Sequence, residues 1–203
     1  FTWVDRVGMF RRPVDRLDDP RERFAPNPHV SGRDGGRDMN LHGLARDGIR
    51  LLGRFAGAAG ARARFENDLH DSLARIDADV EQLLAEIDAF IEKEAIDAPA
   101  PDRTRPLRDG YDVDPPTELD LEAEGIATVV WATGYAFDFG FVDAPILDDD
   151  GYPVQRRGVT DVPGLYFVGL HWLHTLASGL LYGVAADAEH VADALDEELR
   201  ARA

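Results

Sequence analysis

The sequence predicts an α/β fold, and three features of the text carry that reading. Two apolar runs of strand length, IATVVWA at Ile126–Ala132 and GLYFVGL at Gly164–Leu170, hold the branched and aromatic residues that fill buried parallel strands. A helix-period pattern follows the second run over Ser178–Arg200, with Leu180, Leu181, Val184, Ala188, Val191, Leu195 and Leu199 on one face. Strand, loop and helix in that order form the unit of α/β architecture.

From Phe1 to Asp47 the text is turn-rich. Pro13, Pro20, Pro26 and Pro28 are followed by Ser31-Gly32 and Gly35-Gly36, which predicts mostly irregular structure. Ile49, Leu51 and Leu52 form a short strand-like run, a candidate sheet edge, before a loop carrying Gly57 and Gly60. Between Asn67 and Ala95 the residues Leu69, Leu73, Ile76, Val80, Leu83, Ile87 and either Phe90 or Ile91 recur at alternating spacings of three and four. That spacing predicts a long amphipathic helix, with Asn67 or Asp68 as its cap and Pro99 beyond its end. The stripe suits either a helix laid on its own domain or the seam of a homodimer.

Ala98–Pro116, APAPDRTRPLRDGYDVDPP, reads as an extended linker, because prolines lack the donor and bias the preceding residue away from helix. A short helix from Thr117 to Glu124, closed by Gly125, is expected next, then the first buried strand. Asp149, Asp150 and Gly151 mark the turn of a hairpin.

Composition narrows the function. The 203 residues are 44% hydrophobic and 30% charged, which describes a globular chain of one domain or two small ones. No apolar window reaches the length of a membrane span and no leader pattern opens the sequence, so no membrane partner and a cytoplasmic location are the expectation. The net charge of -17 repels nucleic acid and anionic membranes. With no cysteine there is no thiolate nucleophile, Cys-ligated zinc or disulfide. The chain opens on Phe1, which reads as a processed product or a portion of something longer.

Motifs narrow it further. Neither G-x-G-x-x-G nor G-x-x-x-x-G-K-[ST] occurs, and the G-x-S-x-G elbow, H-E-x-x-H and the calcium-loop pattern are missing too. Asp148, Asp149 and Asp150 are consecutive rather than alternating, so a turn is the better reading. His171 and His174 are the close histidine pair, without a third ligand to complete a metal site. Two segments are more specific. WATGY at Trp131–Tyr135 ends the first strand with small residues that permit close backbone approach. Gly164–Val184, GLYFVGLHWLHTLASGLLYGV, delivers Gly169 to a loop, and its helix, starting near Ser178-Gly179, would offer unpaired N–H groups to an acceptor oxygen.

In order and spacing the segments NPHVSGRDGGRDMNL (Asn27–Leu41), GIRLLGR (Gly48–Arg54), RFENDL (Arg64–Leu69), PTELDL (Pro116–Leu121), VVWATGY (Val129–Tyr135) and RRGVTDVPGLYFVGLHWLHT (Arg156–Thr175) resemble the C-terminal half of flavin-containing-monooxygenase-like oxidoreductases. These are FAD- and NAD(P)-dependent flavoproteins, sometimes labelled potassium-transport flavoproteins, built from two interleaved Rossmann-like dinucleotide-binding domains. The resemblance implies that residues 1–135 are the tail of the NAD(P)-binding insert with a helical excursion, and 136–203 the closing segment of the FAD domain. It further implies that Gly169, Leu170, His171 and Trp172 line the ribityl chain and flavin edge, and that Ala177, Ser178 and Gly179 donate backbone N–H groups to the flavin. Thr133, Gly134 and Tyr135 would lie at the crossing near the nicotinamide.

Two departures matter. Leu170 stands where wider relatives place a ribityl-binding Asp, and both Gly-rich fingerprints lie outside this chain. The expectation is therefore a portion of an FAD-dependent, NAD(P)H-using oxidoreductase, of monooxygenase type, acting on a small organic substrate. No residue qualifies as a general acid or base, and the chain alone is expected to be inactive. The rival expectation is a non-catalytic interaction module dimerising through the helix at 67–95.

Overall fold

A computed structural model of the chain describes residues 2–24, 40–99 and 106–202. They form a mixed α/β structure in two compact units, one of residues 40–132 and the other of residues 2–24 with 133–202. Of the stretch Asn27–Leu41 only Asn40 and Leu41 are described, and of the linker at 98–116 residues 100–105 lie outside the described residues.

The first unit holds α2 (Leu41–Arg46), β1 (Phe55–Ala59), β2 (Arg62–Phe65), α3 (Leu69–Lys93) and β3 (Glu118–Asp120), α1 belonging to the other unit. Asn40 caps α2 by accepting the His42 N–H at 2.9 Å. The expected loop at Gly57 and Gly60 is instead a hairpin: β1 pairs antiparallel with β2, and β2 antiparallel with β3, in the order β1-β2-β3. Gly60, at φ +59, supplies the left-handed turn. The segment expected as a helix at Thr117–Glu124 holds β3 at Glu118–Asp120 and then turns, because Leu119 buries itself opposite Ala63 while its neighbours stay exposed, the two-residue period of a strand.

Helix α3 runs unbroken over 25 residues inside the predicted span. Asp68 holds its N-cap position, but its side chain accepts the Arg54 N–H at 2.8 Å and forms no cap bond. Leu69 and Leu73 are buried with Leu51 against Leu41, Leu44, Tyr111 and Val113. Farther along the stripe Ile76 and Val80 are exposed, and Leu83 and Ile87 are half-buried.

The second unit holds α1 (Thr2–Arg6) and α4 (Val184–Arg202), with 3-10 turns at Met9–Arg11, Val14–Arg16, Pro20–Phe24 and Leu176–Gly179. Val4, Phe10, Trp172, Leu176 and Ala177 form its core. The turn at Asp148–Gly151 is present, with Leu147 bridged to Pro153 and the Asp148 carboxylate accepting the Asp150 and Tyr152 N–H groups.

Three expectations are corrected here. Ile126–Ala132 is not a strand: it has no strand partner among the described residues, and Val130 is 81% exposed. Gly164–Leu170 pairs only through a Val159–Tyr166 bridge. Parallel strands form when neighbours satisfy their backbone groups on both sides, and the described residues offer Ile126–Ala132 no strand partner and Gly164–Leu170 only that antiparallel bridge. No parallel pair, and so no Rossmann sheet, occurs among the described residues. The last helix starts at Val184 rather than Ser178, because the Ser178 side chain turns back to close a separate 3-10 turn. Among the described residues no helix is long and apolar enough to cross a membrane.

Candidate functional site

The chain from Gly169 to Gly183 in the second unit gathers seven of the ten residues singled out by sequence. Gly169 takes φ +79, and Trp172 takes φ +55, an unusual conformation for a bulky side chain. The reversal at Trp172 drives its indole into the core beside Val4 and Phe10. Thr175 and Ser178 then form a reciprocal capping box: Ser178 Oγ accepts the Thr175 N–H at 2.9 Å and also the His174 N–H at 3.1 Å. Ser178 is fully buried, and its own N–H donates to the Thr175 carbonyl at 3.1 Å.

This arrangement sorts the residues by direction. Gly169 and Gly179 are exposed, Leu170 and His171 half-buried, and Trp172, Ala177 and Ser178 interior. Gly179 is held close to His171, since a Cβ on it would lie 3.1 Å from His171 Cα. Thr133, Gly134 and Tyr135 lie in the same unit and are exposed, Tyr135 completely so.

His171 is packed from two sides. The buried Tyr152 hydroxyl donates to its carbonyl at 2.7 Å, and its ring bonds the Arg23 backbone. Burial pushes the imidazole below its ordinary 6.5, and the Arg23 bond only partly opposes this. The folded state thus favours neutral His171. That stabilisation is complete above the unfolded value and is lost as pH falls through the lower folded value. The melting temperature should fall between pH 7.5 and 5.5, and His171→Gln should flatten the fall; an unaltered slope would remove His171 as its source.

Sequence reasoning missed the residues that hold the loop. Arg23 stacks over Tyr152, 4.6 Å from the ring centroid, and bonds Asp148 at 2.6 Å. Burial alone would raise the Asp148 carboxyl; hydrogen bonds from Tyr152, Arg23 and Asp150 outweigh it and hold it below the usual carboxylate range. Asp187, in the first turn of α4, is buried beneath His174 and Arg157. One signal for Asp187 was available, an acid spaced with Val184 and Val191 on the apolar face.

A second polar cluster occupies the first unit. Buried His42 accepts the Gly110 N–H at Nδ1 (2.9 Å) and lies 3.3 Å from Asp77 through Nε2. Asp77 also accepts from Tyr111 and Arg108, at 2.8 and 2.7 Å. The Asp77 hydrogen bond is the main cause that raises the Tyr111 phenol, burial adding to it. Both ring nitrogens of His42 are engaged, so the cluster fastens α2 and the turn at Asp109–Asp112 to α3 and leaves no group free for chemistry. The expected linker is thus folded at this point. Among the described residues no group of side chains is arranged to hold a metal ion.

No family model matches the chain, and no solved structure matches it. It is 46% identical over 67 residues, 32% of its length, to a protein of Geobacillus kaustophilus named uncharacterized oxidoreductase CzcO-like. It is 38% identical over 74 residues, 36% of its length, to uncharacterized oxidoreductase CzcO of Bacillus subtilis. The matched stretches span about a fifth of these relatives, 19% and 21%.

Proposed function

We propose that this chain is part of an FAD-dependent, NAD(P)H-using oxidoreductase of monooxygenase type that acts on a small organic molecule. The similarity to proteins named oxidoreductases supports the reaction class. The observation that carries the cofactor assignment is the loop of the second unit: exposed, side-chain-free backbone at Gly169 and Gly179 beside the half-buried His171, all fastened from beneath by buried Ser178. A flat aromatic ligand can approach such a surface closely, since neither glycine carries a Cβ.

In this reading Gly169, Leu170, His171 and Gly179 touch the flavin. Trp172, Ala177 and Ser178 act from the interior, by fixing the loop. Flavin, when bound, supplies the electron and hydride chemistry. The chain's residues orient it, and Thr133, Gly134 and Tyr135 extend the surface toward the nicotinamide. Residues 1–135 are assigned to the nucleotide insert and 136–203 to the closing part of the FAD domain.

The test is the flavin spectrum and NAD(P)H-dependent flavin reduction of the complete gene product, with and without His171→Ala. The expected result is bound FAD in the complete product, slower reduction in the variant, and no retained FAD in the 203-residue chain, which has no G-x-G-x-x-G loop. A complete product that purifies without flavin and does not take it up would end this reading.

A further inference from the structure

Among the described residues, the most buried acid of the second unit leaves one carboxylate oxygen without a hydrogen bond. Asp187 is 3% exposed at its side chain, and its Oδ1 has no hydrogen-bond partner among the described residues. Two basic side chains face it, His174 with Nδ1 at 3.5 Å and Arg157 with its guanidinium at 3.9 Å. An unpaired buried carboxylate is costly, and a movement of a few tenths of an ångström by the imidazole would give it a donor. Its place in the first turn of α4 favours a negative charge there.

His174 is built to meet it. The backbone of His174 is held at both ends, its N–H by Ser178 Oγ at 3.1 Å and its carbonyl by the Val14 N–H at 2.8 Å. The ring is what can adjust. A carboxylate opposite Nδ1 selects the tautomer with the proton on Nδ1, because a lone pair there would face negative charge. The proton's place on Nδ1 leaves a lone pair on Nε2, and the side chain is 34% exposed.

We propose that Asp187 and His174 form a carboxylate–imidazole dyad that presents the His174 Nε2 lone pair to a ligand N–H or O–H at the Gly169–Gly179 loop. Arg157 balances the charge of Asp187. Other histidines with ring contacts differ: His42 has both nitrogens engaged, His70 Nε2 meets the Val113 carbonyl at 2.9 Å, and the His171 ring bonds the Arg23 backbone. Within the 171/174 pair it is His174 whose Nε2 lone pair is offered to a ligand donor, with the half-buried His171 ring beside it in the same loop. An imide edge such as that of a flavin pyrimidine, an amide or a sugar hydroxyl meets this chemistry. Only that choice among donors rests on the cofactor reading above; the dyad rests on the positions of its own atoms.

Two measurements on the intact 203-residue chain test the dyad without any flavin. The first is the ring tautomer of His174 from long-range proton–nitrogen correlation spectra of labelled protein at pH 7.5. A pyrrole-type Nδ1 and pyridine-type Nε2 are expected, with loss of that preference in Asp187→Ala. A pyrrole-type Nε2 in the unmodified chain overturns the proposal, and this outcome needs no variant to fold. The second is carbethoxylation by diethyl pyrocarbonate, which consumes an accessible imidazole lone pair, followed by peptide mass mapping. His174 should be modified at least tenfold faster than His42; equal protection of the two would overturn it equally well. A sound dyad in a protein whose complete product never binds flavin would end the cofactor reading and leave the dyad standing.

Discussion

Gly158→Ala should unfold the second unit more readily than any other single methyl group added to its loops. Gly158 lies at φ +88, and a Cβ there would sit 2.2 Å from the Phe167 carbonyl oxygen and 2.7 Å from Val191 on α4. Neither neighbour can yield cheaply. The Phe167 N–H is bonded to the Gly158 carbonyl at 2.8 Å, and the Gly158 N–H to Gln155 Oε1 at 2.6 Å, so the two segments are clamped around the missing side chain. A left-handed alanine costs about 1–2 kcal/mol, and forcing a methyl group into packed atoms adds about 1–3 kcal/mol. A loss of about 3 kcal/mol and a melting temperature roughly 10 °C lower follow. Thermal unfolding followed through Trp3 and Trp172 measures this. A change of a degree or less would mean that the clamp at Gly158 does not exist in solution.

His42→Ala is the matching experiment in the first unit. It strips the buried Gly110 N–H of its acceptor and Asp77 of one of its three donors, and it removes a ring packed 4.9 Å from Tyr111. Leaving one buried donor unpaired costs about 1–3 kcal/mol, and the lost packing brings the total to about 3 kcal/mol. The loss should show in urea unfolding as a lower midpoint with an unchanged slope. Amide exchange should accelerate at Gly110 and in the first turns of α3, while the Gly169–Gly179 loop keeps its protection. Uniform acceleration across both units would refute the local role given to His42.

Much of the chain was legible because local physics decides it. The three-four spacing from Leu69 onward makes α3 whatever lies around it, and the turn at Asp148–Gly151 is written in residues that bond their own backbone. The strands were misread for a related reason. Ile126–Ala132 and Gly164–Leu170 have the composition of buried strands, but composition cannot supply a neighbour, and a strand exists only when another backbone meets it. The run at Glu118–Asp120 shows the converse, since it became a strand because Ala63 was there to pair with Leu119.

The candidate site divides in the same way. The sequence by itself marked out the short stretch proposed as the site, because Gly169, the 171/174 histidines and Gly179 stand together in one loop. It also excluded cysteine chemistry and showed that neither Gly-rich nucleotide pattern occurs within these 203 residues. Only the tertiary structure decided which of those residues face outward. The turn at Trp172 sends the indole inward, Ser178 folds back to hold the His174 and Thr175 N–H groups, and Asp187 arrives from a helix thirteen residues beyond His174. The physical reason is range: helix periodicity and turn chemistry act over a few residues, whereas burial and the pairing of a buried charge depend on atoms brought together from distant parts of the chain.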